Sequence, residues 1–347
     1  MKMFLKIIAV LLIIILVTNI GASFYFYNIS VARNKKDFLS QDSALLNSVS
    51  VESVASSAGQ VDGAVTADAK VYSAQQEDMV EVNSTQQEDL VEVDWFNKQP
   101  YEEVSVTTED GLRLMGYYLA ATTPTDKTAI LAHGYSSKGM WMESYAKIYY
   151  DLGYNVLLPD DRGHGNSEGD YIGFGWADRN DYLRWIDFII NKVGEKSQVV
   201  LHGVSMGGAT VLMAGGEMLP EAVKAIVSDC SYTSVWAELE YQLKRLYKLP
   251  AFPILNSTSL LTKLRAGYSF AEASALEQVK KSKTPTLFIH GDSDKFVPTS
   301  MVYELFEASA SEKDIYIVQG AGHGNSLDTD VTGYKNKVRE FTEKYVK

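Results

Sequence analysis

The chain has 347 residues, 46% of them hydrophobic, a formal net charge of −12, five histidines and one cysteine. An acidic balance without basic clusters argues against a nucleic-acid-binding protein, and a lone cysteine rules out an internal disulfide framework. There is no Cys/His cluster at zinc spacing, no His-Glu-x-x-His helix and no phosphate loop ending in Gly-Lys-Ser/Thr, so neither metal nor cofactor is expected.

Lys2 and Lys6 open the chain, and an unbroken apolar run follows from Ile7 to Val17. It continues through Ile20-Gly21-Ala22-Ser23 to the aromatic group Phe24-Tyr25-Phe26-Tyr27. A bilayer takes about 20 residues, so Ile7 to Tyr27 suffices to span it, and the aromatics suit the far interface. Residues 1–30 are therefore expected to be an uncleaved membrane anchor. The rival is a cleaved signal peptide, because Gly21 and Ser23 stand at the spacing a signal peptidase prefers. Lys2 and Lys6 favour a cytoplasmic N-terminus and an extracellular remainder, while Arg33, Lys35 and Lys36 pull the other way.

Residues 31–94 are expected to form a disordered stalk holding the rest of the chain away from the membrane. From Phe38 to Asp94 the composition is Ser, Val, Ala, Gln, Asp and Glu, with Lys70 the only basic residue. Such a segment cannot bury enough surface to offset the entropy of ordering. Gln75-Gln76-Glu77-Asp78-Met79-Val80-Glu81-Val82 recurs as Gln86-Gln87-Glu88-Asp89-Leu90-Val91-Glu92-Val93. A tandem duplication in an unconstrained spacer explains this, with a partner-binding tag as the alternative.

Residues 95–347 suit one globular domain, since about 250 residues make a usual α/β domain. Val104 to Thr107 and Leu112 to Leu119 read as a hairpin across Glu109-Asp110-Gly111. Parallel strands are expected at Lys127 to Ala132, Asn155 to Pro159, Gln198 to Val204, Ala225 to Ser228, Thr286 to Ile289 and Ile315 to Val318. Helical periodicity falls between them, as at Asp178 to Lys192. This alternation requires an α/β fold, a mostly parallel sheet covered by helices on both faces. The interval 232–284 is too long for one crossover helix and reads as a helical cap insert rich in aromatics.

The chemistry concentrates at strand ends. Gly203-Val204-Ser205-Met206-Gly207 joins a buried strand to a helix expected over Ala209 to Met218, with glycines where side chains would collide. Ser205 is a candidate nucleophile, which needs a base and a carboxylate to orient that base. Asp292 and Asp294 follow the strand ending at Gly291, and His323 lies in the loop after Val318. Serine, aspartate and histidine thus come in order, each beyond a strand's C-terminal end, where open α/β sheets place their sites. His133, His202 and His290 precede glycines at strand ends and read as packed core histidines, and His164 as a loop-structuring residue. Cys230 reads as a small buried hydrophobe.

These motifs make residues 101–345 resemble the α/β-hydrolase superfamily, serine-nucleophile branch. The segment Ala132-His133-Gly134-Tyr135 is similar to the family's His-Gly motif, and Asp160-Asp161-Arg162-Gly163-His164-Gly165-Asn166-Ser167 to its Asp-x-Arg-Gly-x-Gly-x-Ser loop. The resemblance implies a triad of Ser205, His323 and Asp294, with Asp292 as fallback, and an oxyanion hole from the backbone N–H groups of Tyr135 and Met206. Bacterial membrane-anchored hydrolases of the Bem46-like and cinnamoyl-esterase-like kind are the nearest in character. The function implied is a carboxylesterase cleaving small acyl esters through an acyl-enzyme. The alternatives are a peptidase or amidase of the same mechanism and a non-catalytic surface binding protein.

Overall fold

The computed structural model describes residues 2–34, 39 and 95–347. The acidic octads at 75–82 and 86–93, and nearly all of the expected stalk, lie outside the described residues.

Among the described residues, eight strands form one sheet in the order β1-β2-β4-β3-β5-β6-β7-β8. β1 (Glu102–Thr107) and β2 (Arg113–Leu119) are the expected hairpin, and β2 runs antiparallel to β4 (Asn155–Pro159). From β4 onward the neighbours are parallel: β3 (Lys127–Ala132), β5 (Gln198–Val204), β6 (Val223–Asp229), β7 (Thr286–Gly291) and β8 (Lys313–Val318). Strands buried on both faces must be apolar at every position, and alternate residues divide between two cores. Ile130, Leu157, Leu201, Ile226 and Phe288 pack with Trp185 on one face. Leu131, Leu158, Val200, Val227 and Leu287 pack with Tyr149 and Tyr334 on the other.

The helices of the domain are α2 (Glu143–Asp151), α3 (Asp178–Val193), α4 (Met206–Gly215), α5 (Val235–Tyr247), α6 (Ile254–Ala266), α7 (Ala275–Val279), α8 (Ser300–Ala308), α9 (Ser326–Thr329) and α10 (Val331–Tyr345). The expected insert contains α5, α6 and α7. Ser234 Oγ caps α5 by accepting from Ala237 N, and α6 ends at Gly267 with φ +79°. β4 follows β3 on one side and β5 lies on its other side, so chain progression reverses between β3 and β5. A crevice outside the strand ends forms at such a switch point.

The N-terminal segment forms a 29-residue helix, α1 (Lys2–Ser30), long and apolar enough by length and composition to cross a membrane. Its apolar side chains from Met3 to Val17 are exposed, whereas Ser23, Tyr27 and Val31 are buried. This burial revises the expectation of a stalk starting at residue 31. Ile172 N donates to Val31 O at 2.7 Å, and Arg33 N donates to Asp170 O at 2.9 Å. The Arg33 guanidinium donates to the carbonyls of Ser167 at 2.7 Å and Gly165 at 2.8 Å. Residues 31–34 are thus part of the domain surface, because an apolar side chain and a cation with ready acceptors anchor them there. This packing holds the end of α1 against the domain.

Candidate active site

Ser205 sits between β5 and α4 with φ 57° and ψ −117°, a conformation that costs a non-glycine residue about 1–3 kcal/mol. The surrounding backbone enforces it. A Cβ on Gly203 would run into the backbone of Gly207, and one on Gly207 into the Ala132 carbonyl. α4 therefore lies almost in contact with β3 and β5, and it starts at Met206, earlier than expected from sequence. Of the two glycines read as flanking the turn, Gly203 ends up in β5 and Gly207 inside α4, because only glycine permits this approach. At its C-terminal end, α4 stops at Gly215 rather than reaching Met218. As the first residue of α4, Met206 has an N–H with no intrahelical acceptor.

His323 Nε2 lies 2.8 Å from Ser205 Oγ, and His323 Nδ1 lies 2.8 Å from Asp294 Oδ2. Carboxylates only accept, so the ring proton belongs on Nδ1, leaving Nε2 free to accept from the serine hydroxyl. Asp294 Oδ1 accepts from the N–H groups of Phe296 at 2.8 Å and Val297 at 2.9 Å, which fix the carboxylate. Asp292, the fallback, points elsewhere: its Oδ1 accepts from Gly320 N at 2.7 Å and from the Ser293 hydroxyl at 3.0 Å.

Burial opposes charge on Asp294, but the His323 charge and hydrogen bonds from His290 and His323 outweigh it and hold the carboxyl well below its usual range. His323 is the mirror case. Burial lowers it, and the Asp294 carboxylate opposes that, through charge and hydrogen bond, and raises the imidazole above the ordinary histidine value. Cys230 also adjoins this ring. Burial pushes its thiol up to about 11, so at neutral pH it is uncharged and adds no ion pair. Ligand atoms of Cys230, Asp294 and His323 lie within 4.8 Å of one another. Both imidazole nitrogens are already engaged by Ser205 and Asp294, and a hydrogen-bonded relay accounts for the cluster.

The remaining histidines are placed as expected, with one addition. His133 is fully buried and accepts at Nε2 from Asp161 N at 3.0 Å. His202 sits between the hydroxyls of Tyr149 and Tyr334, its pKa lowered to about 3 by burial. His164 Nδ1 lies 3.0 Å from Arg162 O, and its Nε2 accepts from Ser136 N. His290 is packed under the loops, but its Nε2 also lies 3.1 Å from Asp294 Oδ2. The acid therefore faces two histidines. Four-residue spacing of His290 and Asp294 across a turn was the available signal.

Beside Ser205 lies an apolar pocket open to the surface. Tyr135, Phe174, Met206 and Tyr232 line it from the sheet side, Leu239, Leu243, Leu255 and Phe270 from the cap region, and Phe26 and Ile29 from α1. Glu238 is a buried exception: desolvation raises its carboxyl to about 7, and among the described residues its Oε2 has no hydrogen-bond partner. The chain order of the site, Ser, Asp and His beyond the ends of β5, β7 and β8 in a sheet with this strand order, is that of one superfamily.

YqkD of Bacillus subtilis, an uncharacterized protein, is 31% identical over 233 residues, covering 67% of this chain and 76% of that protein. The chain belongs to the α/β-hydrolase superfamily. Within this hydrolase, residues 123–260 match the profile of the family described as serine aminopeptidase, S33. Among relatives are the uncharacterized membrane protein YNL320W of Saccharomyces cerevisiae, 24% identical over 70% of this chain and 79% of that one. Protein bem46 of Schizosaccharomyces pombe is 22% identical over 63% of the hydrolase and 68% of its own length. The Pyrococcus furiosus esterase Pf2001 superposes with a TM-score of 0.61 at 24% identity, covering 77% of this chain and 97% of the esterase. At that identity the likeness speaks for the fold.

Proposed function

We propose that the protein is a membrane-anchored serine hydrolase that cleaves carboxylic esters through an acyl-enzyme. The observation carrying this is the unbroken hydrogen-bonded chain from Ser205 Oγ through His323 to Asp294 at the mouth of an apolar pocket. His323 Nε2 takes the hydroxyl proton as Ser205 attacks the ester carbonyl, and Asp294 keeps the ring oriented and balances the imidazolium. The N–H groups of Met206 and Tyr135 hold the oxyanion, in a site largely closed to water where fixed dipoles act strongly. His323 then returns the proton to the leaving alcohol, and water activated by the same imidazole releases the acid.

An apolar pocket supports an acyl group as the recognised part of the substrate. The peptidase or amidase reading draws on the description of the matching family profile. The position of α1, partly exposed as an apolar helix and partly docked, supports its retention as an anchor, and Lys2 and Lys6 ahead of the apolar run support a domain outside the cytoplasm. Cleavage near Gly21 or Ser23 would cut a helix whose last turns are packed against α6. A matched panel of esters and anilides, assayed with the full chain and with Ser205→Ala, tests the proposal. Ester turnover lost in the variant is the expected result; turnover of anilides alone would favour the peptidase reading.

A further inference from the structure

We propose that the last turns of α1 are a wall of the acyl-binding pocket, and that its substrate is a membrane lipid ester whose acyl chain enters beside α1. This rests on the serine esterase reading above. Phe26 and Ile29, three residues apart on one helical face, line the same cavity as Ser205. The Phe26 ring packs edge-on against Tyr247 of α5 with centroids 5.1 Å apart. Tyr135, whose N–H is proposed to hold the oxyanion, donates its phenol hydroxyl to the Ser30 carbonyl at 2.7 Å. It thereby satisfies one of the carbonyls left over at the end of α1. The membrane helix, the oxyanion loop and the cap thus meet at one place.

Distance and surface chemistry then identify the substrate class. Nine residues separate Phe26 from Val17, the end of the exposed apolar run, which is about 14 Å along a helix. The pocket wall is therefore the continuation of the segment that occupies the bilayer. Ser23 Oγ lies 2.6 Å from Ser257 Oγ of α6. One and two turns beyond Ser257 on α6, Leu260 and Leu264 are 61% and 76% exposed, and Phe252 just before α6 is 76% exposed. Large apolar side chains left in water beside a membrane-spanning helix mark a surface that lies in the lipid interface. A pocket walled by this helix and these cap elements receives an apolar chain from the bilayer without exposing it to water.

The experiment uses the full chain in phosphatidylcholine nanodiscs with p-nitrophenyl butyrate, p-nitrophenyl palmitate, a long-chain monoacylglycerol and a palmitoylated peptide. Ile29→Trp narrows the wall, Phe26→Ala opens it, and Ile13→Ala, in the exposed run, serves as control. Wild type is expected to prefer the long-chain esters and the monoacylglycerol. Ile29→Trp should lower the palmitate-to-butyrate ratio of kcat/KM about tenfold or more; Phe26→Ala should shift it, and Ile13→Ala should not. Ratios unchanged in both wall variants, with the serine still labelled by a fluorophosphonate, overturn the inference and leave the hydrolase reading standing. So does preference for the palmitoylated peptide over the monoacylglycerol. A folded wild type that neither labels nor hydrolyses any ester refutes the underlying reading as well.

Discussion

The two sides of the pocket are built differently. On the sheet side, Ser205 is held by backbone: strand β5, helix α4 and glycines that admit no side chain leave its position almost no freedom. On the opposite side, α1, α5 and α6 present Phe26, Ile29, Leu239, Leu243 and Leu255, side chains interchangeable in chemistry and different only in shape. The difference separates chemistry from selection. On the proposed function, bond-making geometry is held by the sheet and α4, while the appended helices select what reaches it.

The sharpest way to break this contrast is Ser205→Ala. It should lower kcat roughly 10⁶-fold with the fold intact, since only the hydroxyl is lost; circular dichroism and initial rates check both. Asp294→Asn should cost about 10⁴-fold in kcat, because an amide cannot enforce the required tautomer. Asp292→Asn, whose carboxylate faces Gly320 N and the Ser293 hydroxyl, should leave the rate near wild type.

The pH profile sharpens the same side. The reactive imidazole is neutral, so kcat/KM should fall as pH drops through the folded His323 pKa, which lies above the ordinary histidine value. Asp294, held far below its usual range, stays ionised throughout. Removing that carboxylate removes what raises His323, and the acid limb of residual Asp294→Asn activity should therefore move to lower pH.

Effects on the other side should be smaller. Arg33→Ala deletes the side-chain hydrogen bonds that pin residues 31–34 and should cost about 1 kcal/mol in the thermal unfolding of the full chain. Glu238→Gln gives a pH-dependent gain. With a folded pKa near 7 above an unfolded value near 4.5, the native state retains a proton that the unfolded state has released. Stability is therefore lost as pH rises from about 4.5 to 7. The variant should raise Tm relative to wild type more at pH 8 than at pH 4.

Legibility in the sequence follows the same division. The strands are continuous apolar runs and the elbow glycines are demanded by collision, so the sheet and the order of a serine, an aspartate and a histidine at strand ends can be read locally. Asp294 over Asp292 rested on family pattern, since both carboxylates share one short loop; their backbone partners distinguish them only in three dimensions. His290 beside Asp294 and Cys230 beside His323 were hidden because packed residues and site residues look alike at strand ends. The contribution of α1 was the least visible: Phe26 and Ile29 belong to an apolar run that membrane insertion alone explains, and no periodicity distinguishes a lipid-facing residue from a pocket wall.

Fluorophosphonate labelling of the full chain in detergent, comparing wild type with Ser205→Ala and His323→Ala, tests the central claim most directly. The expected result is rapid labelling of wild type at Ser205, none in Ser205→Ala and strongly slowed labelling in His323→Ala. A folded wild type that does not label, or a His323→Ala variant that labels at the wild-type rate, would contradict an imidazole-activated serine.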